Sequence, residues 1–262
     1  MKRVRIVRFR ADLPPQSTLD VVAGEEPLEI RVDTRPIAVV MRTPGYDEDL
    51  AVGFLVSEGL VTRRAEIREV RPNVRNRAGN SVDVLLAPEV RVDFQKLTRH
   101  VFASSSCGLC GANSIAAIRR QFPPLTASPQ IWAQTLLGLP EAMRLAQTEF
   151  SRTGGLHAAA LFQMDGSLLA VREDVGRHNA VDKLLGRSLL EGTIPLTDRG
   201  LLVSGRVSFE IVQKALAGGI GLIAAVSAPS SLAVEFARKN GQTLVGFLRD
   251  GRFNVYAGEV GV

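Results

Sequence analysis

The sequence predicts an α/β protein, and three observations predict it. In the second half of the chain the apolar runs RGLLVSG, IGLIAAVS and TLVGFLR alternate with stretches of helical period. Pro123, Pro124, Ser128 and Pro129 punctuate the chain just before that half begins. The first half is mostly extended runs around one long helical pattern. We therefore expect a smaller α+β domain over residues 1–125 and a second α/β domain over 126–262. Apolar strands alternating with helices imply a parallel or mixed sheet covered on both faces. Nothing recurs at a fixed period, which excludes a solenoid.

In order, VRIVRF (residues 4–9) alternates as an opening strand. EEPLEIRVDTRPIAVVMRT holds two extended runs joined at Asp33–Thr34, a hairpin with a two-residue turn. After the break at Pro44–Gly45, YDEDLAVGFLVSEGLV reads as a helix. The acids at 47–49 suit the dipole of its first turn, Leu50, Phe54 and Leu55 face a core, and Gly59 fits the C-cap. IREVRPNV and SVDVLLAP are extended around a turn at Ala78–Gly79–Asn80, and VDFQKLTRHVF is a short helical stretch.

Beyond the linker a helix is expected over residues 131–148. HAAALFQ and SLLAVRE read as paired strands about Asp165–Gly166. NAVDKLLGRSLLEG, SFEIVQKALAGG and SLAVEFARKNG are helices between the apolar strands, and FNVYAG is the last strand.

Composition narrows the function classes. Forty-five per cent hydrophobic and 23 per cent charged residues describe an ordinary soluble globule. No apolar run approaches the roughly 18 residues of a membrane span. MKRVRIVRFRAD lacks the apolar stretch of a secretory signal, so we expect a cytoplasmic protein without membrane contact. The net charge is +5, carried almost wholly by arginine. The one basic cluster, at 68–77, has no aromatic residue, and it reads as a solvated loop rather than a nucleic-acid surface.

The chemistry centres on SSSCGLCGAN, residues 104–113, which holds both cysteines of the chain, Cys107 and Cys110. Gly108 and Gly111 loosen the backbone around them, and NSIAAIRRQF follows as a helix. A thiol at a helix N-terminus is favoured as thiolate, the nucleophilic form. Three readings compete: a zinc site, a dithiol–disulfide redox pair, and a persulfide carrier. Zinc needs four ligands, and His100, His157 and His178 are scattered singly. We expect no metal within one chain.

A second set of polar residues lies at strand ends, where open sheets bind ligands. Arg172 to Asn179 follow LLAV, and Ser204, Gly205 and Arg206 follow GLLV. Ser227 follows IAAV, while Phe247, Leu248, Arg249, Asp250, Gly251 and Arg252 close TLVGF. Singly these are helix caps and turns. Together they are suited to an anionic, phosphorylated ligand, through helix-start N–H groups and guanidinium forks. His178, in a polar loop near Asp174 and Asp182, is the histidine of functional interest, and His157 reads as a core or turn residue.

SSSCGLCG, REDVGRHNAVDKLLG, LLVSGRVSFEIVQKA, AVSAPSSLAVEFA, TLVGFLRDGRFNVY and MRTPGYDEDLAVGFLVSEGL resemble the FdhD family over nearly the whole chain. The resemblance implies a cytidine-deaminase-like three-layer fold with a mixed sheet for the larger domain, and a homodimer. It implies a sulfurtransferase that takes persulfide sulfur from a cysteine desulfurase. The sulfur passes to the molybdenum bis(molybdopterin guanine dinucleotide) cofactor before that cofactor enters formate dehydrogenase. Cys107 would carry the sulfur with Cys110 assisting. The segment Phe247 to Arg252 would bind the cofactor, for which GDP is a mimic. A zinc deaminase is rejected, because His157-Ala158-Ala159 lacks the glutamate of H-x-E and the cysteines precede it. A cofactor-binding chaperone without catalysis is the alternative.

Overall fold

A computed structural model of the chain describes residues 1–73, 79–92, 94 and 122–262. Three sheets and the helices between them make up the described residues. β1 (Lys2–Arg10) and β2 (Leu13–Val22) form an antiparallel ribbon of their own. β3 (Glu26–Val32), β4 (Arg35–Arg42), β5 (Ile67–Pro72) and β6 (Ser81–Leu86) form a second sheet in the order β4-β3-β6-β5. The hairpin between β3 and β4 turns on Asp33 and Thr34, both left-handed at φ 45° and 68°, as a two-residue turn of the primed type requires. Helix α1 (Asp47–Ser57) follows, with Gly59 at φ 68° just past its end.

The third sheet is mixed. Its strands are β7 (His157–Phe162), β8 (Leu168–Asp174), β9 (Gly200–Val203), β10 (Leu222–Ala225), β11 (Thr243–Arg249) and β12 (Arg252–Ala257), in the order β12-β11-β10-β9-β7-β8. β9, β10 and β11 are parallel, and β7 is antiparallel to both β9 and β8. Hence β8, β9, β10 and β11 all run one way, and their carboxyl ends share an edge with the first residue of β7. Side chains alternate between two covered faces. Ala158, Ala160, Phe162, Leu202, Ala224 and Val245 pack with Leu136, Leu139 and Met143 of α2 (Ala133–Ala146). Ala159, Leu161, Leu201, Val203 and Ile223 face the opposite way. There they meet α4 (Arg177–Leu190), α5 (Phe209–Ala217) and α6 (Ser231–Lys239). The expected three layers are therefore present.

α1 joins the four-stranded sheet to this layer. Its tight approach to α4 needs two glycines: a Cβ on Gly53 would stand 1.7 Å from the carbonyl oxygen of Asp182, and one on Gly186 would stand 1.8 Å from that of Asp49. Leu28, Ile30, Leu50, Leu55, Val181 and Leu185 belong to one continuous buried cluster across the contact. Buried ion pairs surround the same contact, and one hydrogen bond crosses it. Lys214 Nζ lies 2.8 Å from Asp182, which also accepts from Ser57 Oγ at 2.5 Å. Arg42 grips Asp47 through two bonds of 2.8 Å, and Arg172 pairs with Asp49 at 3.0 Å. The acids of the first turn of α1 thus answer arginines as well as the dipole.

Three local departures from expectation have physical causes. β2 was not among the expected strands, and its Pro14 and Pro15 withhold donors. Its sole partner is β1, and the register shift between Arg8 and Arg10 lies opposite the prolines, where such residues are tolerated. The helix expected over 131–148 is two helices, α2 and the six-residue α3 (Thr148–Thr153). α4 starts at Arg177, so His178 is a helix residue rather than a loop residue, and β8 runs one residue further than expected, to Asp174. No helix among the described residues is long and apolar enough to cross a membrane.

Candidate functional site

The carboxyl edge of the large sheet borders a cleft of about 790 Å³, closed on its other side by α2 and α3. That is the size range of small-molecule sites. Ser204, Leu248, Arg249, Asp250 and Gly251 line it, and so does His157. Arg144 and Phe150 stand on the helical wall, with the guanidinium 5.4 Å from the ring centre.

Each polar group is placed by sheet geometry. Ser204 continues β9, and its Oγ accepts the Ala158 N–H at 2.8 Å while its own N–H donates to the Ala158 carbonyl at 2.9 Å. That exchange holds the start of β7 against the end of β9. It sets the His157 ring over Gly205, where an added Cβ would meet Nδ1 at 3.2 Å. Burial and the charges of Arg177 and Arg206 hold the His157 pKa below its ordinary value, against a smaller pull from Asp174. At neutral pH the imidazole is uncharged, a donor and acceptor amid cations. The buried Nε of Arg177 has no hydrogen-bond partner among the described residues.

Phe247 to Arg252 form the end of β11 and its hairpin into β12. Phe247 takes φ 54° where the ladder slips between Gly246 and Arg249, and its N–H donates to the Ser227 carbonyl at 3.1 Å. Asp250 and Gly251, at φ 53° and 68°, make the turn. Leu248 is fully buried, whereas Arg249 and Arg252 are exposed. The Arg249 guanidinium lies 5.6 Å from the Phe247 ring centre.

His178 occupies the other side of the same edge and is absent from the cleft lining. Its Nε2 lies 3.2 Å from Ser208 Oγ and 3.9 Å from Glu210 Oε2. Burial, reinforced by Lys214 and Arg177, lowers its pKa to about 4. Neither Asp174 nor Asp182, its neighbours in sequence, orients it: both carboxylates are engaged elsewhere. Asp174 pairs with Lys183 at 2.7 Å and accepts from the N–H groups of Thr43 and Gly176 and from Asn179. Lys214 and Ser57 hold Asp182. Of the strand-end serines, Ser230 caps α6 through the Ala233 N–H at 3.2 Å, while Ser208 makes no cap bond and faces His178 instead.

Sequence reasoning therefore brought Ser204, Leu248, Arg249, Asp250 and Gly251 to the cleft and missed His157, Arg144 and Phe150, while Gly205, Arg206, Ser227, Phe247, Arg252 and His178 lie outside its lining. Only the direction of β7, set by its antiparallel pairing with β9, places His157 there. Cys107 and Cys110 lie outside the described residues. Among those described, no three His, Cys, Asp or Glu side chains gather as a metal set.

An α/β protein with a ligand-sized cleft at the carboxyl edge of a mixed sheet is a class with many members. Within it the chain belongs to the FdhD/NarQ family, whose model matches residues 23–262. It is 49% identical to the sulfur carrier protein FdhD of Streptomyces coelicolor over 98% of this chain and 94% of the relative. It is 50% identical to the protein of the same name from Mycobacterium tuberculosis, over 90% of each. A proposed formate dehydrogenase accessory protein from Desulfotalea psychrophila, solved as a crystal structure, superposes with a TM-score of 0.77 at 26% identity. That match covers 98% of this chain and 96% of the other.

Proposed function

We propose that this chain is a sulfur carrier serving formate dehydrogenase, and that its cleft receives the guanine-nucleotide end of a molybdenum bis(molybdopterin guanine dinucleotide) substrate. The observation that carries the second part is the convergence of His157, Ser204 and Arg249 on one cleft of nucleotide size. Arg144 and Arg249 supply charge for phosphates, His157 and Ser204 supply directional hydrogen bonds, and Phe150 offers an aromatic face. Family membership and the C-x-x-C at Cys107 and Cys110 support the first part.

In chemical terms, the Cys107 thiolate attacks the outer sulfur of a persulfide on a cysteine desulfurase. The donor's S–S bond breaks, and the donor cysteine leaves as thiolate. Attack by Cys110 on the inner sulfur of the new persulfide releases the outer sulfur as sulfide to the bound cofactor. The resulting Cys107–Cys110 disulfide is reset by an external thiol. Calorimetric titration with GDP tests the cleft: saturable binding is expected, and its absence in the wild type would remove the nucleotide reading.

A further inference from the structure

The ribbon of β1 and β2 stands outside both the cleft and the family model, which begins at residue 23. Val7, Phe9, Leu13 and Leu19 are 58, 75, 52 and 60% exposed on it. Val7 pairs across from Ser17 and Arg5 from Leu19, so Arg5, Val7, Phe9 and Leu19 share one face of the ribbon. Lys2, Arg3, Arg5, Arg8 and Arg10 outnumber Asp12 and Asp20 in the same segment. The ion pairs of the ribbon, Arg8 with Asp20 and Lys2 with Glu26 just beyond it, are both long at 3.9 Å and exposed, so the positive field is little offset. The ribbon's root also adjoins the cleft. A Cβ on Gly155, a cleft residue, would touch the Ala23 methyl at 3.5 Å.

We propose that this ribbon is a docking arm for a protein surface that is acidic around an apolar centre, and that the arm holds the recipient of the cleft's cargo at the cleft mouth. The recipient's identity rests on the sulfur-carrier reading. Charge complementarity selects this occupant. A second copy of the chain would set two basic faces against each other, which like charges oppose. A nucleic acid would use Phe9 and the arginines but leave Val7, Leu13 and Leu19 without a stacking partner.

The test measures binding of the full chain to purified formate dehydrogenase apoprotein from the same organism. Two variants are used: a triple Val7→Ser, Phe9→Ser, Leu19→Ser and a double Arg3→Glu, Arg5→Glu. Because these side chains are exposed, both variants should keep the wild-type thermal midpoint and GDP affinity. Each should weaken apoprotein binding at least about tenfold, and salt should weaken the wild type more than the charge variant. No apoprotein binding by the wild type, or equal binding by all three proteins, would overturn the arm. So would a wild-type dimer that the variants convert to monomer in sedimentation, or single-stranded RNA binding that they abolish. GDP binding separates the failures: if it persists, only the arm is lost, and if it is absent, the cleft reading fails too.

Discussion

His157 and Gly205 meet face to face where β7 leaves β9, with the imidazole lying over bare backbone at 3.2 Å from where a Cβ would stand. A larger residue at 205 has to displace the ring from the cleft wall. Gly205→Val should therefore weaken GDP binding about tenfold, a change of roughly 1.4 kcal/mol, and His157→Ala should weaken it similarly. Calorimetry checks both, and wild-type affinity in the two variants would remove His157 from the site.

Arg249 is exposed at the cleft mouth, while Arg206 acts from the same edge on His157. Losing one charge-assisted contact costs about 1.5–3 kcal/mol. Arg249→Ala should raise the Kd for GDP by roughly tenfold to a hundredfold, and added salt should weaken the wild type. Unchanged affinity in both Arg249→Ala and Arg206→Ala would mean that these strand ends are only turns.

The contact between α1 and α4 leaves no room for a methyl group. Gly186→Ala puts Cβ 1.8 Å from the Asp49 carbonyl and should destabilise the fold by about 3 kcal/mol or more. Gly138→Ala, in α2 with nothing within 4 Å, should instead stabilise by about 0.5–1 kcal/mol. Denaturant midpoints of the two variants distinguish packing from helix propensity.

Two half-buried groups set opposite pH dependences. Burial pushes the Glu58 carboxyl up to about 7, with Lys214 opposing and Asp182 adding to the rise. Its contribution is full below its ordinary value near 4.5 and is lost as pH rises through about 7. His178, lowered to about 4, contributes fully above 6.5 and loses that contribution as pH falls through about 4. Glu58→Gln should therefore gain on the wild type between pH 5 and 8, by up to about 3 kcal/mol, in unfolding measured across pH. A difference that stays flat with pH would contradict the half-buried carboxyl.

Much of this fold was legible because the apolar strands announce themselves and end in Ser, Arg and Gly at one edge. The Asp33–Thr34 turn and the first turn of α1 were readable from local chemistry alone. Strand direction was not. Periodicity is the same for a strand read either way, so His157 could not be placed until β7 paired with β9. The short α3 offers too few residues to show a period, and it carries Phe150 to the cleft wall. Ser208 sits where a cap belongs yet spends its hydroxyl on His178, a tertiary choice that no local pattern encodes.

Sulfur carriage on Cys107 can be read at the thiol itself. The most direct measurement is mass analysis of the Cys107 peptide after incubation with a cysteine desulfurase and free cysteine. One added sulfur atom, removed by thiol reductant and absent from Cys107→Ala, is the predicted result. An unmodified Cys107 peptide beside a fully active desulfurase, or full sulfur transfer by Cys107→Ala, would contradict it.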